Sequence, residues 1–161
     1  MDRRLRTRPL VEGGSAVYLM EADGTAERRL GPDENDISVS DPVWSQDGEW
    51  LAIQTRMAGR AGVFRTLVDG GGWTRVSDLE ASGPPAWSPN GEWPAFSSCD
   101  DVACGLWVVH PDGSGASRVA EAGVNPTWSS DSQWLTTLAH LSDSWRTTSG
   151  SSVWTAPIGA T

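Results

Sequence analysis

Lysine is absent from this chain. All twelve basic side chains are arginines, set against 21 Asp and Glu, for a formal net charge of −9. That balance argues against a nucleic-acid or anionic-membrane partner, since both need a cationic surface. Acidity here serves solubility, and the missing lysine reflects genome composition rather than mechanism. Histidine is scarce, with only His110 and His140. There is no Gly-x-Ser-x-Gly elbow, no His-Glu-x-x-His pair and no phosphate-binding glycine loop, so no catalytic constellation stands out. Gly70-Gly71-Gly72 reads as a flexible turn. Long apolar runs are missing too. The basic start, with Arg3, Arg4, Arg6 and Arg8, runs into Glu12, Gly13 and Gly14 instead of an apolar core. No signal peptide and no membrane span are therefore expected. Helical periodicity is absent throughout.

Cysteine is limited to Cys99 and Cys104. Their spacing, with no histidine nearby, fits neither a zinc site nor a redox Cys-x-x-Cys. Two readings stay open: a disulfide across a hairpin loop, which implies an oxidising compartment, or two free thiols. No cofactor is expected. Asp33, Glu34 and Asp36 follow no calcium-loop pattern.

Tryptophan is what the chain has in excess, ten copies beside two Phe and one Tyr. So much rigid aromatic area suggests a core built from repeated slots. The indoles recur in a phrase: Trp44-Ser45-Gln46-Asp47-Gly48-Glu49-Trp50, Trp87-Ser88-Pro89-Asn90-Gly91-Glu92-Trp93 and Trp128-Ser129-Ser130-Asp131-Ser132-Gln133-Trp134. The first tryptophans lie 43 and 41 residues apart. Downstream comes an aromatic inside an apolar run: Tyr18, Phe64, Trp107, Trp154. Five residues beyond the first three of these stands Asp23-Gly24, Asp69-Gly70 or Asp112-Gly113. Six residues after each such Asp comes Arg29-Leu30, Arg75-Val76 or Arg118-Val119. A period in the forties with two tight turns per copy predicts four antiparallel strands, A to D, in each blade of a β-propeller. Asp-Gly and Asn-Gly supply the positive φ of hairpin turns. Strand B is continuously apolar, as a sheet covered on both faces requires. Two departures stand out. Pro94 lacks the N–H for a ladder bond, which predicts a bulge or missing bond. Ser132 replaces a turn glycine, which predicts strain or another turn type.

These residues resemble the TolB-type, WD-like β-propeller repeat, whose pattern is Pro-x-Trp-Ser-Pro-Asp-Gly followed by an apolar strand and an Asp-Gly turn. Pro85-Ala86-Trp87-Ser88-Pro89-Asn90-Gly91 is the closest copy, and Pro42-Val43-Trp44 and Pro126-Thr127-Trp128 open the others. Known members include periplasmic proteins of the Tol envelope system and propellers attached to prolyl oligopeptidase-like peptidases. The resemblance implies an all-β fold and a non-catalytic protein-interaction or ligand-binding scaffold. The alternative is the propeller portion of a prolyl oligopeptidase-like hydrolase whose catalytic domain lies elsewhere. It also implies an extracytoplasmic location, periplasmic or secreted. No catalytic residue belongs to the repeat.

The phase divides the chain into a basic tail, 1–14, and one repeat domain, 15–159. The domain holds a partial blade 15–40, a blade 41–83, a blade 84–124 and an incomplete blade 125–159, about thirteen strands in all. Propellers close with four to eight blades, so the ring is incomplete in one chain. The chain is then an excerpt of a longer protein, an open wedge, or a self-assembling unit whose missing blades come from the same or another chain. A–B and C–D turns share one face. The other face carries the divergent B–C and D–A connections, including Cys99, Asp100, Asp101 and Cys104, and a long loop with Trp145 and Arg146. Recognition concentrates on such loops. This face is therefore expected to bind a basic or polar partner, with Trp145 as aromatic anchor beside Arg146, Asp100 and Asp101.

Overall fold

The computed structural model describes residues 3–9, 14–31, 37–57, 60–99 and 104–138. Among them there is no helix, and the strands form four antiparallel sheets in sequence order. The first holds β1 (Arg3–Pro9), β2 (Ser15–Glu21) and β3 (Arg28–Leu30). The second holds β4 (Ile37–Trp44), β5 (Trp50–Met57), β6 (Arg60–Leu67) and β7 (Thr74–Ser77). The third holds β8 (Ala86–Trp87), β9 (Pro94–Cys99), β10 (Cys104–Val108) and β11 (Ser117–Ala120). The fourth, as far as the described residues reach, holds β12 (Val124–Trp128) and β13 (Leu135–Leu138). Each strand pairs with its sequence neighbour, so every sheet is a meander.

The structure corrects the N-terminal boundary. Residues 3–9 are no tail: β1 pairs with β2 without interruption from Arg3↔Glu21 to Pro9↔Ser15. It takes the place that β5 and β9 take beside β6 and β10. Side-chain composition misled here because a ladder is made of backbone groups, and an Arg-rich segment is well suited to a sheet edge. The second sheet likewise begins at Ile37, four residues before the boundary read from the repeat.

The A–B turns share one hydrogen-bond cage. Ser45 Oγ donates to Asp47 Oδ1 (2.5 Å) and accepts from Trp50 N–H (2.9 Å), while Asp47 Oδ1 accepts from Glu49 N–H (2.9 Å). Ser88, Asn90 and Trp93 repeat it, as do Ser129, Asp131 and Trp134. The residue closing each turn is left-handed: Gly48 at φ 73°, Gly91 at φ 76° and Ser132 at φ 60°. Of the two expectations for Ser132, the turn type is unchanged and the strain is real. Its hydroxyl has a use, since Ser132 Oγ accepts from the Asn90 N–H of the preceding sheet's turn (3.0 Å).

Pro94 does not interrupt its ladder. It is the first residue of β9, where a missing N–H costs least, and the register with β10 is continuous from Val108↔Ala95 to Cys104↔Cys99. The irregularities fall elsewhere. One lies in strand A, between Ser40 and Val43 and again between Val124 and Thr127. There Asp41 and Asn125 adopt φ of 52° and 54°. In the third sheet Pro84 holds that place, and its ring forbids positive φ. Strand A shrinks to the two residues of β8, with one bridge beyond it, Ala81↔Ser98.

Three hydrophobic clusters lie between successive sheets. Val17, Leu19 and Leu30 meet Val39, Leu51, Ile53 and Val68. Val63 and Val76 meet Ala81, Phe96 and Val109. Ala95 and Val108 meet Trp128 and Leu135. Each side chain buried this fully contributes about 1.5–3 kcal/mol for the larger aliphatics. Polar ties run across the same seams. Ser15 Oγ accepts from Val39 N–H and donates to Val39 O (2.6 and 2.7 Å), Arg28 donates to Val68 O, Gln54 to Ala81 O, and Trp128 Nε1 to Ala86 O (3.2 Å). The largest fully buried hydrophobic side chains are aliphatic or Phe96, beside buried Ser88, Ser97, Thr55 and Thr66. Among the described tryptophans the most buried, Trp87 and Trp128, keep 9% exposure, so the indoles wedge the rim of each slot more than its centre.

Candidate functional site

The end of the sheets that carries the Asp-Gly turns is chemically occupied. In the C–D turns, Asp23 Oδ1 accepts from the Thr25 hydroxyl and N–H (2.6 and 2.9 Å), and Asp112 Oδ1 from those of Ser114 (2.7 and 2.8 Å). These hydroxyls, then the same residues' N–H groups, hold both carboxyls below their ordinary range. Ser45 and then the Glu49 N–H do so for Asp47, and Ser129 and then the Gln133 N–H for Asp131. A carboxylate that accepts two donors is stabilised as the anion. These four are turn locks and poor proton donors, and none is poised for acid–base chemistry.

The second tryptophan of each phrase is half-buried or exposed, and two of the three stack on a basic side chain. The Arg65 guanidinium lies 4.2 Å from the Trp50 ring centroid. The His110 ring lies 3.9 Å from that of Trp93. Read from sequence, His110 is a solvated loop residue. In the structure the ring is pinned between Trp93 and Gly115, where an added Cβ would come within 2.8 Å of His110 Cδ2. The sequence carried no signal for either stack, because each depends on the register that brings a residue of the next strand or its flank diagonally against the indole.

At the other end of the sheets the connections diverge. Asp100, Asp101, Trp145, Arg146 and Trp154 lie outside the described residues. The base of the β9–β10 connection is described: Cys99 and Cys104 face each other directly across the ladder, and Cys99 is disulfide-bonded. Arg118 on β11 lies across Gly105, where any Cβ would strike its guanidinium, and pairs with Glu121 at 3.3 Å. Gly62 and Arg75 repeat the same arrangement in the second sheet. No group of three or more His, Cys, Asp or Glu capable of holding a metal occurs among the described residues. Nor is any helix among them long and apolar enough to cross a membrane.

No family model matches the sequence, and no curated protein matches it. Solved structures do. TolB from Acinetobacter baumannii superposes with a TM-score of 0.78 at 13% identity, over 98% of this chain and 39% of that one. A putative TolB from Agrobacterium tumefaciens gives 0.72 at 21% identity, over 89% of this chain and 52% of that one. The chain has a TolB-type β-propeller fold. Its four sheets are therefore blades, and the clusters between them are inter-blade seams. A prolyl endopeptidase is also similar, with a TM-score of 0.61 at 17% identity, over 85% of this chain and 24% of that one. The TolB-like chain spans about two-fifths and one-half of the two TolB structures it matches.

Proposed function

We propose that this TolB-like chain is a non-catalytic propeller module that holds a protein partner on the face opposite its caged turns. One observation carries the reading: Asp23, Asp47, Asp112 and Asp131 are held by their own turns, and the sequence puts its divergent acidic connections at the other ends of the strands. The β9–β10 hairpin delivers Asp100 and Asp101 from a base where Cys99 is bonded and faces Cys104. A connection closed covalently at its base loses less conformational freedom on binding. Trp145 supplies the aromatic anchor and Arg146 its polar neighbour. The partner is a protein with a basic or polar surface, met outside the cytoplasm, where a disulfide persists. The experiment is capture by the whole chain compared with W145A and with D100N/D101N. A partner retained by the parent and lost from both variants supports the reading, and unchanged capture overturns it. Thiol alkylation in intact cells, before and after reduction, tests the compartment; free Cys99 in the unreduced sample would reject an oxidising one.

A second reading is favoured by the likeness to the prolyl endopeptidase and to a Pyrococcus horikoshii acylaminoacyl peptidase, TM-score 0.58. In it the blades gate substrate to a hydrolase domain encoded alongside. A neighbouring coding segment with a Ser-Asp-His hydrolase pattern supports it, and one holding only further blades removes it.

A further inference from the structure

A groove of about 490 Å³ runs between the second and third blades. Val76, Ser77, Asp78 and Leu79 form one wall, and Trp107 and Gly113 the other. Its walls are of three kinds. The first is backbone: β7 is the outer strand of its sheet, paired only with β6 among the described residues. Such an edge offers unpaired N–H and C=O groups. Gly113 brings the neighbouring turn against β7, since a Cβ there would sit 3.4 Å from Arg75 O, and the groove opens beside that contact. The second is apolar: Leu79 and Trp107 are half-buried and rest on the second inter-blade cluster. The third is charge. Arg75 also lines the groove, and its guanidinium donates to Ala61 O (2.7 Å). Asp78 is exposed and has no hydrogen bond or ion pair among the described residues.

We propose that this groove binds an extended peptide segment in which an apolar residue stands next to a basic one. The peptide adds to the free edge of β7 through its backbone, as edge strands accept strands from partners. Its apolar side chain covers Leu79 and the open part of the Trp107 ring, and its cation meets Asp78. The net charge of −9 favours the approach of that cation and disfavours acidic segments. The size suits a few residues, within the range of small-ligand clefts. Among the described residues its lining includes none of Asp100, Asp101, Trp145 and Arg146, so it stands or falls independently of the loop-face reading.

The test uses the whole chain and two fluorescein-labelled, capped hexapeptides, Thr-Val-Thr-Leu-Arg-Thr and Thr-Val-Thr-Leu-Glu-Thr, read by anisotropy. The parent binds the Arg peptide saturably and at least tenfold more tightly than the Glu peptide. D78R reverses that preference; Asp78 is exposed, so the variant folds as the parent does. L79N weakens both peptides, and its fold is checked by circular dichroism. The proposal is overturned if the parent shows no saturable binding of the Arg peptide. It is also overturned if D78R leaves the preference between the two peptides unchanged.

Discussion

Ser132→Ala and Ser132→Gly separate two energies that the native turn holds together. Ser132 is 7% exposed and sits at φ 60°. A non-glycine residue there costs about 1–2 kcal/mol in backbone strain. Against this stands the hydrogen bond from Asn90 N–H to Ser132 Oγ at 3.0 Å, which joins the turns of two blades. A typical bond of this kind contributes about 0.5–1.5 kcal/mol, and an N–H left unpaired costs about as much again when shielded. Alanine keeps the strain and loses the bond, so it should destabilise by about 1–2 kcal/mol. Glycine loses the bond and relieves the strain, so it should fall within about 1 kcal/mol of the parent. Urea unfolding of the three proteins, at equal slope, reads the difference as a midpoint shift. Equal loss in both variants would refute the strain, and no loss in the alanine variant would refute the inter-blade bond.

Three further outcomes follow from the same geometry. Asp23, Asp47, Asp112 and Asp131 have folded pKa values below the unfolded value near 3.8, so their stabilisation is present above that value. It is lost as pH falls below about 3.8 through the lower folded values. D47N/D131N, which copies Asn90, should flatten the acid limb of a stability–pH curve, and an unchanged limb would contradict the turn-lock account. Leu51→Ala, at 0% exposure between the first two blades, should cost about 2–5 kcal/mol in denaturant unfolding; a cost under 1 kcal/mol would argue against a close-packed seam. Cys99→Ser should lower stability by about 2 kcal/mol, the loop-closure term for so short a ring, and dithiothreitol should lower the parent equally while leaving the variant unchanged.

The turn phrase made both kinds of tight turn legible, because Ser, Asp and Gly act on backbone only a few residues away. The arginine six residues after each C–D turn aspartate (Arg29, Arg75, Arg118) was legible as a repeat but not as a device. It stands opposite the strand-C aromatic at Tyr18↔Arg29, Phe64↔Arg75 and Trp107↔Arg118, and in two blades it lies over a glycine. The N-terminal strand escaped because pairing is a property of the neighbour's free edge. The loop-face candidates were legible only as an insertion, an extra indole and a run of acids.

Local chemistry along the chain therefore determined the number of strands per blade, the turn positions and the apolar faces, since each rests on residues within one hairpin. Only the tertiary structure decided which faces meet, that aliphatics outnumber indoles in the buried seam clusters, and that Ser132 is tied to Asn90. It also decided that β7 borders an inter-blade groove. These depend on residues more than forty positions apart, or on neighbouring blades, being brought together by packing, and no local pattern encodes that distance.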